Sequence, residues 1–287
     1  MSGAPNQPAG GQLYGVTMTI ADTGLDTLAP VKGLLVELTD GVLSITIDRP
    51  ESLNSVNPAV LDGIVSALET AKSDPRVRVV RLGGTGRGFC SGAGIGADEH
   101  DDTAQPVETL LQANRAVRAI IDMPRPVVAV VQGPTAGVGV SLALVCDLVI
   151  ASEQSFFLLA FTKIGLMPDG GATALVAANI GRTRAMKMAL LADRVSAAEA
   201  LDWGLVSAVH SADSLDAEAD KVIKRLLSGP AVALSRTKQA INAATLGDFD
   251  ATLARETAGQ HVLLHSGDLR EGIRAFQEKR APTFSDT

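Results

Sequence analysis

The ordered part of the chain opens on alternating apolar and polar positions. In "LLVELTDGVLSITIDRP" two runs of period two, Leu34–Leu38 and Val42–Asp48, flank Asp40-Gly41, a pair that favours the left-handed backbone of a tight hairpin. In "NPAVLDGIVSALETAKSD" the period becomes helical. Val60, Ile64, Ala67, Leu68 and Ala71 share one face, and Pro58 suits a first turn. "VRVVRLGG" reads as a strand ending in glycines, followed by a loop and a helix over Val107–Ile121. "PVVAVVQG" is a further strand, "GVGVSLALVCD" a helix, "LVIAS" a short strand and "SFFLLA" an extended piece. Helices are expected at "TALVAANIG", "RTRAMKMALLAD" and "SAAEALDWG", then a strand at "LVSAVH". Beyond it the pattern is helical over Ser214–Leu227, Ala231–Ala244, Ala251–His265 and Asp268–Lys279. No internal repeat is evident. Strand–helix units followed by a run of helices imply an α/β core with a helical C-terminal region.

Composition narrows the class. With 287 residues, 46% hydrophobic and 20% charged, the chain can bury a large core. The net charge of −7 and the lack of a dense Lys/Arg run argue against a nucleic-acid partner. Cys90 and Cys146 lie in apolar or Gly-rich settings and read as buried thiols of a reducing, cytoplasmic compartment. The start "MSGAPNQPAGGQLYG" lacks the basic and apolar regions of a signal peptide, and no unbroken apolar run is long enough to insert in a membrane. Residues 1–30, rich in Gly, Pro, Ser and Thr, read as a flexible tail, with a core over 31–210 and the helical region over 211–287.

Two Gly-rich turns stand out, "GGTGRGFCSGAGIG" at 83–96 and "GPTAGVGV" at 133–140. Neither carries the Lys-Ser/Thr pair of a phosphate loop. The first places Phe89 where a dinucleotide fingerprint requires glycine. Two readings remain open at this level. The glycines serve tight turns where backbones approach closely, or the two turns together aim N–H groups at one carbonyl oxygen as an oxyanion hole.

Taken in order, "ITIDRPESLNSVN", "GRGFCSGAGI", "VVAVVQGPTAGVGVSLALVCDLVIAS", "IGLMPDGGATALV", "GRTRAMKMALLADRVSAAEALDWGLVSAV" and "EGIRAFQEKRAPTF" resemble the crotonase (enoyl-CoA hydratase/isomerase) superfamily from about Leu34 to Phe284. The resemblance implies a crotonase-like spiral of ββα units, with a C-terminal helical region used to form a homotrimer or a dimer of trimers. It implies an acyl-CoA thioester as substrate, with coenzyme A as part of that substrate and no other bound cofactor. It assigns the oxyanion donors to the backbone amides of Ala93 and Val138; valine replaces the usual glycine at the second. Around the coenzyme it sets the backbone of Glu51, Ser52 and Leu53, then Ile95. Phe276 and Lys279 would reach in from a neighbouring subunit.

The family's hydratases use two glutamates to hold water. Here those positions are Ser141 and Phe161, pocket-lining candidates without a usable acid or base. Asp169, in "LMPDGGAT", matches the acid–base Asp of the dienoyl-CoA isomerase branch and the nucleophilic Asp of the 4-chlorobenzoyl-CoA dehalogenase branch. It is also placed to cap the helix that follows. The leading expectation is an isomerase-like enzyme that stabilises a thioester enolate and moves a proton with Asp169. The alternative is a non-catalytic fatty acyl-CoA carrier. Asp98 and Glu99 read as a solvated loop or lid, and Arg87 as packing at its loop or meeting coenzyme phosphates. Asp147 reads as structural. His261 and His265, four apart on a helix, have no evident third ligand, so no metal is expected.

Overall fold

The computed structural model describes Met1, residues 24–94 and residues 106–285. Ile95, Asp98, Glu99 and most of the expected tail lie outside the described residues. The chain begins with β1 (Leu34–Thr39), β2 (Val42–Ile47), α1 (Pro58–Ala71), β3 (Val79–Gly84), α2 (Pro106–Ile121) and β4 (Val127–Val131). It continues through β5 (Thr135–Ala136), α3 (Val138–Leu144), β6 (Leu148–Ser152), β7 (Phe156–Leu158), α4 (Ala172–Leu191), β8 (Val195–Ser196), α5 (Ala197–Trp203) and β9 (Ala208–His210). Four helices complete it: α6 (Leu215–Leu227), α7 (Ala231–Thr245), α8 (Phe249–Leu263) and α9 (Gly267–Gln277).

The main sheet has the order β1-β2-β3-β4-β6-β9. Its first pair is the expected hairpin, antiparallel, with Asp40 and Gly41 at φ +50° and +83°. Every later pairing in this sheet is parallel. All five residues of β4 are buried, as a central parallel strand covered on both faces requires. One face packs on α1, α2 and α3, with Leu61, Ile64 and Leu68 in the same core as Leu43, Ile45 and Ile47. The other receives α6, whose Leu215, Ala219 and Ile223 meet Val79, Val128, Val130 and Ile150. A small sheet, β5-β7-β8, stands beside the first.

Most expected elements are present, with instructive differences. The two helices read on either side of Gly181 run as one, interrupted where Gly181 adopts φ 75°, ψ 161°. The strand expected at "LVSAVH" is only Ala208–His210. The Leu205 and Val206 amides instead close the end of α5 by donating to the Ala200 carbonyl. β5 and β8, two residues each, carry too short a pattern to read from sequence. Residues assigned to the tail also join the fold: Gly24–Thr27 form a 3₁₀ turn, and Leu25 and Leu28 pack against the core. Leucines spaced to reach an apolar surface gain more by burial than by remaining solvated.

Candidate active site

The two Gly-rich turns are laid against each other by backbone. The Ala136 amide donates to the Cys90 carbonyl at 2.9 Å, and Cys90 bridges Thr135 in parallel. A Cβ on Gly133 would lie 2.0 Å from the Arg87 carbonyl oxygen, and one on Gly139 would lie 2.4 Å from that of Cys90. Glycine is therefore required at both positions by close approach, which real Cβ atoms would block. Gly92 and Gly137 face each other at the same junction, both at positive φ.

Two side-chain amides, one buried and one half-buried, stabilise the first turn. Asn54 Nδ2 donates to the Thr85 and Gly88 carbonyls, and its Oδ1 accepts from the Arg49 amide. Gln132 Nε2 reaches the carbonyls of Gly84, Gly86 and Gly88. Neither residue is singled out by the sequence pattern, because their acceptors belong to a distant segment.

The junction opens into a cavity of about 210 Å³. Ala93 and Val138 both line it, and neither amide donates to a backbone acceptor among the described residues. Ala93 follows Gly92, whose carbonyl accepts from Val56. Val138 is the first residue of α3, where helix geometry leaves N–H groups without intrahelical partners. Both amides are thus available donors at one cavity. The walls are largely apolar, with Leu110, Phe161, Ile164, Leu269 and Ile273 among the contributors. Among the described lining residues, the titratable side chains are those of Asp169 and Arg49.

Asp169 lies on the loop between the 3₁₀ turn Ala160–Ile164 and α4, and is partly buried. Burial pushes its carboxyl up to about 7. The Gln260 amide, donating to Oδ2 at 2.7 Å, pulls the other way, and the nearby Glu256 charge adds to the rise. A carboxyl poised near neutrality can both accept and return a proton. The capping alternative is not what the carboxyl does. The N-terminal amides of α4, Gly171 and Thr173, donate instead to Glu256 of α8, at 2.6 and 2.9 Å. The Thr173 hydroxyl joins them at 2.5 Å. Burial raises the Glu256 carboxyl, and these donors oppose that rise.

The remaining sequence candidates fall into distinct places. Phe161 lines the cavity, with its ring edge near Gly137. Ser141 does not line it: the residue is fully buried, and its hydroxyl donates to the Asp169 backbone carbonyl at 2.9 Å. The hydroxyl thereby tethers the Asp169 loop. Glu51 and Ser52 belong to a 3₁₀ turn, Pro50–Ser52, and Leu53 follows in the left-handed region. Their backbone braces the first turn through bonds from Ser91 to the Ser52 and Leu53 carbonyls, outside the cavity lining. Phe276 and Lys279 are exposed at the end of α9 and also lie outside it. Arg87 is exposed, and only its carbonyl is close-packed.

Asp147 accepts from the Val127 amide at 2.7 Å and pairs with buried Lys238 at 2.9 Å, tying β4 to α7. The His261 and His265 rings meet edge-on, their centroids 5.0 Å apart, and His265 Nδ1 contacts the His261 carbonyl. Cys90 and Cys146 are buried free thiols; burial pushes Cys90 up to about 12 and Cys146 higher still. No helix among the described residues is long and apolar enough to cross a membrane.

Known proteins share this plan. A crystal structure of an enoyl-CoA hydratase from Mycobacterium avium subsp. paratuberculosis K-10 superposes with a TM-score of 0.84 at 63% identity, covering 90% of this chain and all of that one. A probable enoyl-CoA hydratase of Rhodobacter capsulatus is 40% identical over 87% of this chain and 96% of its own. The 1,2-epoxyphenylacetyl-CoA isomerase of Escherichia coli is 37% identical over 88% of this chain and 98% of its own. The sequence model of the enoyl-CoA hydratase/isomerase family matches residues 37–287. With the α/β spiral, its C-terminal helices and the paired turns, these matches place the chain in the enoyl-CoA hydratase/isomerase family of enzymes.

Proposed function

We propose that this protein is an acyl-CoA isomerase in its chemistry: it holds a thioester carbonyl between the Ala93 and Val138 amides and moves a proton along the acyl chain with Asp169. The carrying observation is that one apolar cavity contains both unpaired amides and a single carboxyl among its described lining residues, and that burial poises this carboxyl near neutrality. In the forward step the Asp169 carboxylate takes a proton from the carbon next to the thioester. The electron pair shifts onto the carbonyl oxygen, where two N–H donors stabilise the enolate. Asp169 then returns the proton further along the chain, and the electrons fall back to a relocated double bond. No water is consumed. Hydration would need a second group to hold and orient water. Phe161 cannot do so, and the Ser141 hydroxyl is committed to the Asp169 carbonyl.

The Escherichia coli isomerase supports the isomerase reading, and the Rhodobacter relative names the hydratase side of the family. Coenzyme A would enter as part of the substrate, beside the backbone of Glu51, Ser52 and Leu53. Self-association as a trimer is supported by α7, in which Val232 and Ile241 are 77% and 56% exposed, and by Phe276 at 58%. A cytoplasmic setting is supported by the two free thiols.

A panel of enoyl-, dienoyl- and haloaroyl-CoA thioesters, assayed in deuterated water, tests the proposal. Wild type should migrate a double bond and exchange the proton next to the thioester. Asp169→Asn should be slower by roughly 10²–10⁴-fold, as loss of an acid–base group predicts, with thioester affinity retained. Tight binding without turnover or exchange of any thioester would establish the carrier reading instead. Full activity of Asp169→Asn would remove its role.

A further inference from the structure

α8 buries a polar stripe. Thr252, Glu256 and Gln260, each four residues apart, turn one face of the helix inward, and Glu256 and Gln260 are each only 1% exposed. Buried polar side chains persist where they are fully hydrogen-bonded, and both acidic and amide members of this stripe end on the loop that carries Asp169. Gln260 bridges it: Nε2 donates to Asp169 Oδ2 at 2.7 Å, and Oε1 accepts from the Met167 amide at 3.2 Å. Glu256 gathers the Gly171 and Thr173 amides and the Thr173 hydroxyl. Direct packing supports both contacts. A Cβ on Gly259 would strike Met167 Sδ, and one on Gly171 would strike the Phe249 ring.

We propose that Gln260 and Glu256 are positioning residues for Asp169 that act on it in opposite senses: the Gln260 amide anchors the carboxylate, and the Glu256 charge repels it. The anchor favours the ionised form and fixes where the carboxyl points in the cavity. The repulsion favours the protonated form, ready to return its proton. Glu256 is the charged group acting on Asp169 from α8. From α3 the neutral Ser141 hydroxyl meets only the Asp169 backbone carbonyl. Arg49, which lines the same cavity, donates to the Ser55 carbonyl. The functional weight of this pair rests on Asp169 being the acid–base group, but its effect on the carboxyl does not.

Carbon NMR of full-length protein labelled at aspartate, with the Asp169 side-chain signal assigned by its loss in Asp169→Asn, reads the titration midpoint without any substrate. Gln260→Met, which keeps the length and removes the donor, should raise the midpoint by roughly 1 pH unit. Glu256→Gln, which keeps the length and one acceptor oxygen and removes the charge, should lower it by a similar amount. A merely structural role would lower the melting temperature and leave the midpoints unmoved, or shift both in one direction. Either result overturns the proposal. If Glu256→Gln fails to fold, Gln260→Met decides by itself, because an unmoved midpoint there removes the anchor. Opposite shifts with undiminished activity of Asp169→Asn would uphold this pair while ending the catalytic reading of Asp169.

Discussion

The two halves of the site are built by different means. The amide-donating junction is backbone against backbone, with Gly133 and Gly139 admitting carbonyls at distances no Cβ would allow. The acid-bearing loop is a side-chain construction, held by Ser141 from α3 and by Glu256 and Gln260 from α8. A backbone junction needs only a defined chain path, so it admits valine at position 138. A titrating carboxyl needs a tuned surrounding, which only side chains of chosen polarity supply.

That contrast can be broken at several points, beginning with the largest effect. Gly133→Ala forces a methyl into the Arg87 carbonyl and should destabilise by about 3 kcal/mol or more, read by chemical denaturation; a loss under 1 kcal/mol would show that the turn yields easily. Glu256→Ala orphans two amides and a hydroxyl and should cost on the order of 2–3 kcal/mol, with the damage measured by hydrogen exchange at Gly171 and Thr173. Uniform protection across the chain would contradict the local role.

Asp169→Asn should stabilise the chain in a pH-dependent way. Folding raises this carboxyl from an ordinary value near 3.8 to about 7. The folded chain therefore retains a proton that the unfolded chain has released, and stability is lost as pH rises from about 4 to about 7. The variant lacks that slope. Its advantage over wild type should be small at pH 4 and reach on the order of 4 kcal/mol at pH 8. A difference that is constant with pH would mean the carboxyl is not raised by folding.

The smallest effect belongs to Val138→Gly. The amide stays, while a buried side chain and helix propensity are lost, so stability should fall by about 1–2 kcal/mol. Turnover should change less than tenfold. A change far beyond tenfold would show that the valine side chain, as well as its N–H, shapes the chemistry.

Legibility in the sequence follows the same division. The hairpin at Asp40-Gly41, the helix opened by Pro58, and the two turns are local events, marked by residues within a few positions of one another. Their pairing into one donor site rests on the family resemblance. Asp169 was visible as a candidate, but the partner of its carboxylate was not, because the residue that takes the Gly171 and Thr173 amides in its place, Glu256, is 87 positions away in the chain (256 − 169). One clue was present: Thr252, Glu256 and Gln260 share a helical face, although polar faces usually point to solvent. The bond from Ser141 to the Asp169 loop was hidden for a related reason, since a serine facing substrate and one tethering a loop look identical in sequence.

By itself the sequence determined the order and type of most elements and marked the two Gly-rich turns whose glycines close contact demands. These follow from short-range geometry and side-chain chemistry. Only the tertiary structure decided that Asp169 faces a cavity shared with the Ala93 and Val138 amides, and that the Glu256 carboxylate of α8, not the Asp169 carboxylate, takes the Gly171 and Thr173 amides at the start of α4. The proton affinity of a carboxyl and the partner of a helix end depend on what packs within a few ångströms, and folding draws those neighbours from remote stretches of chain.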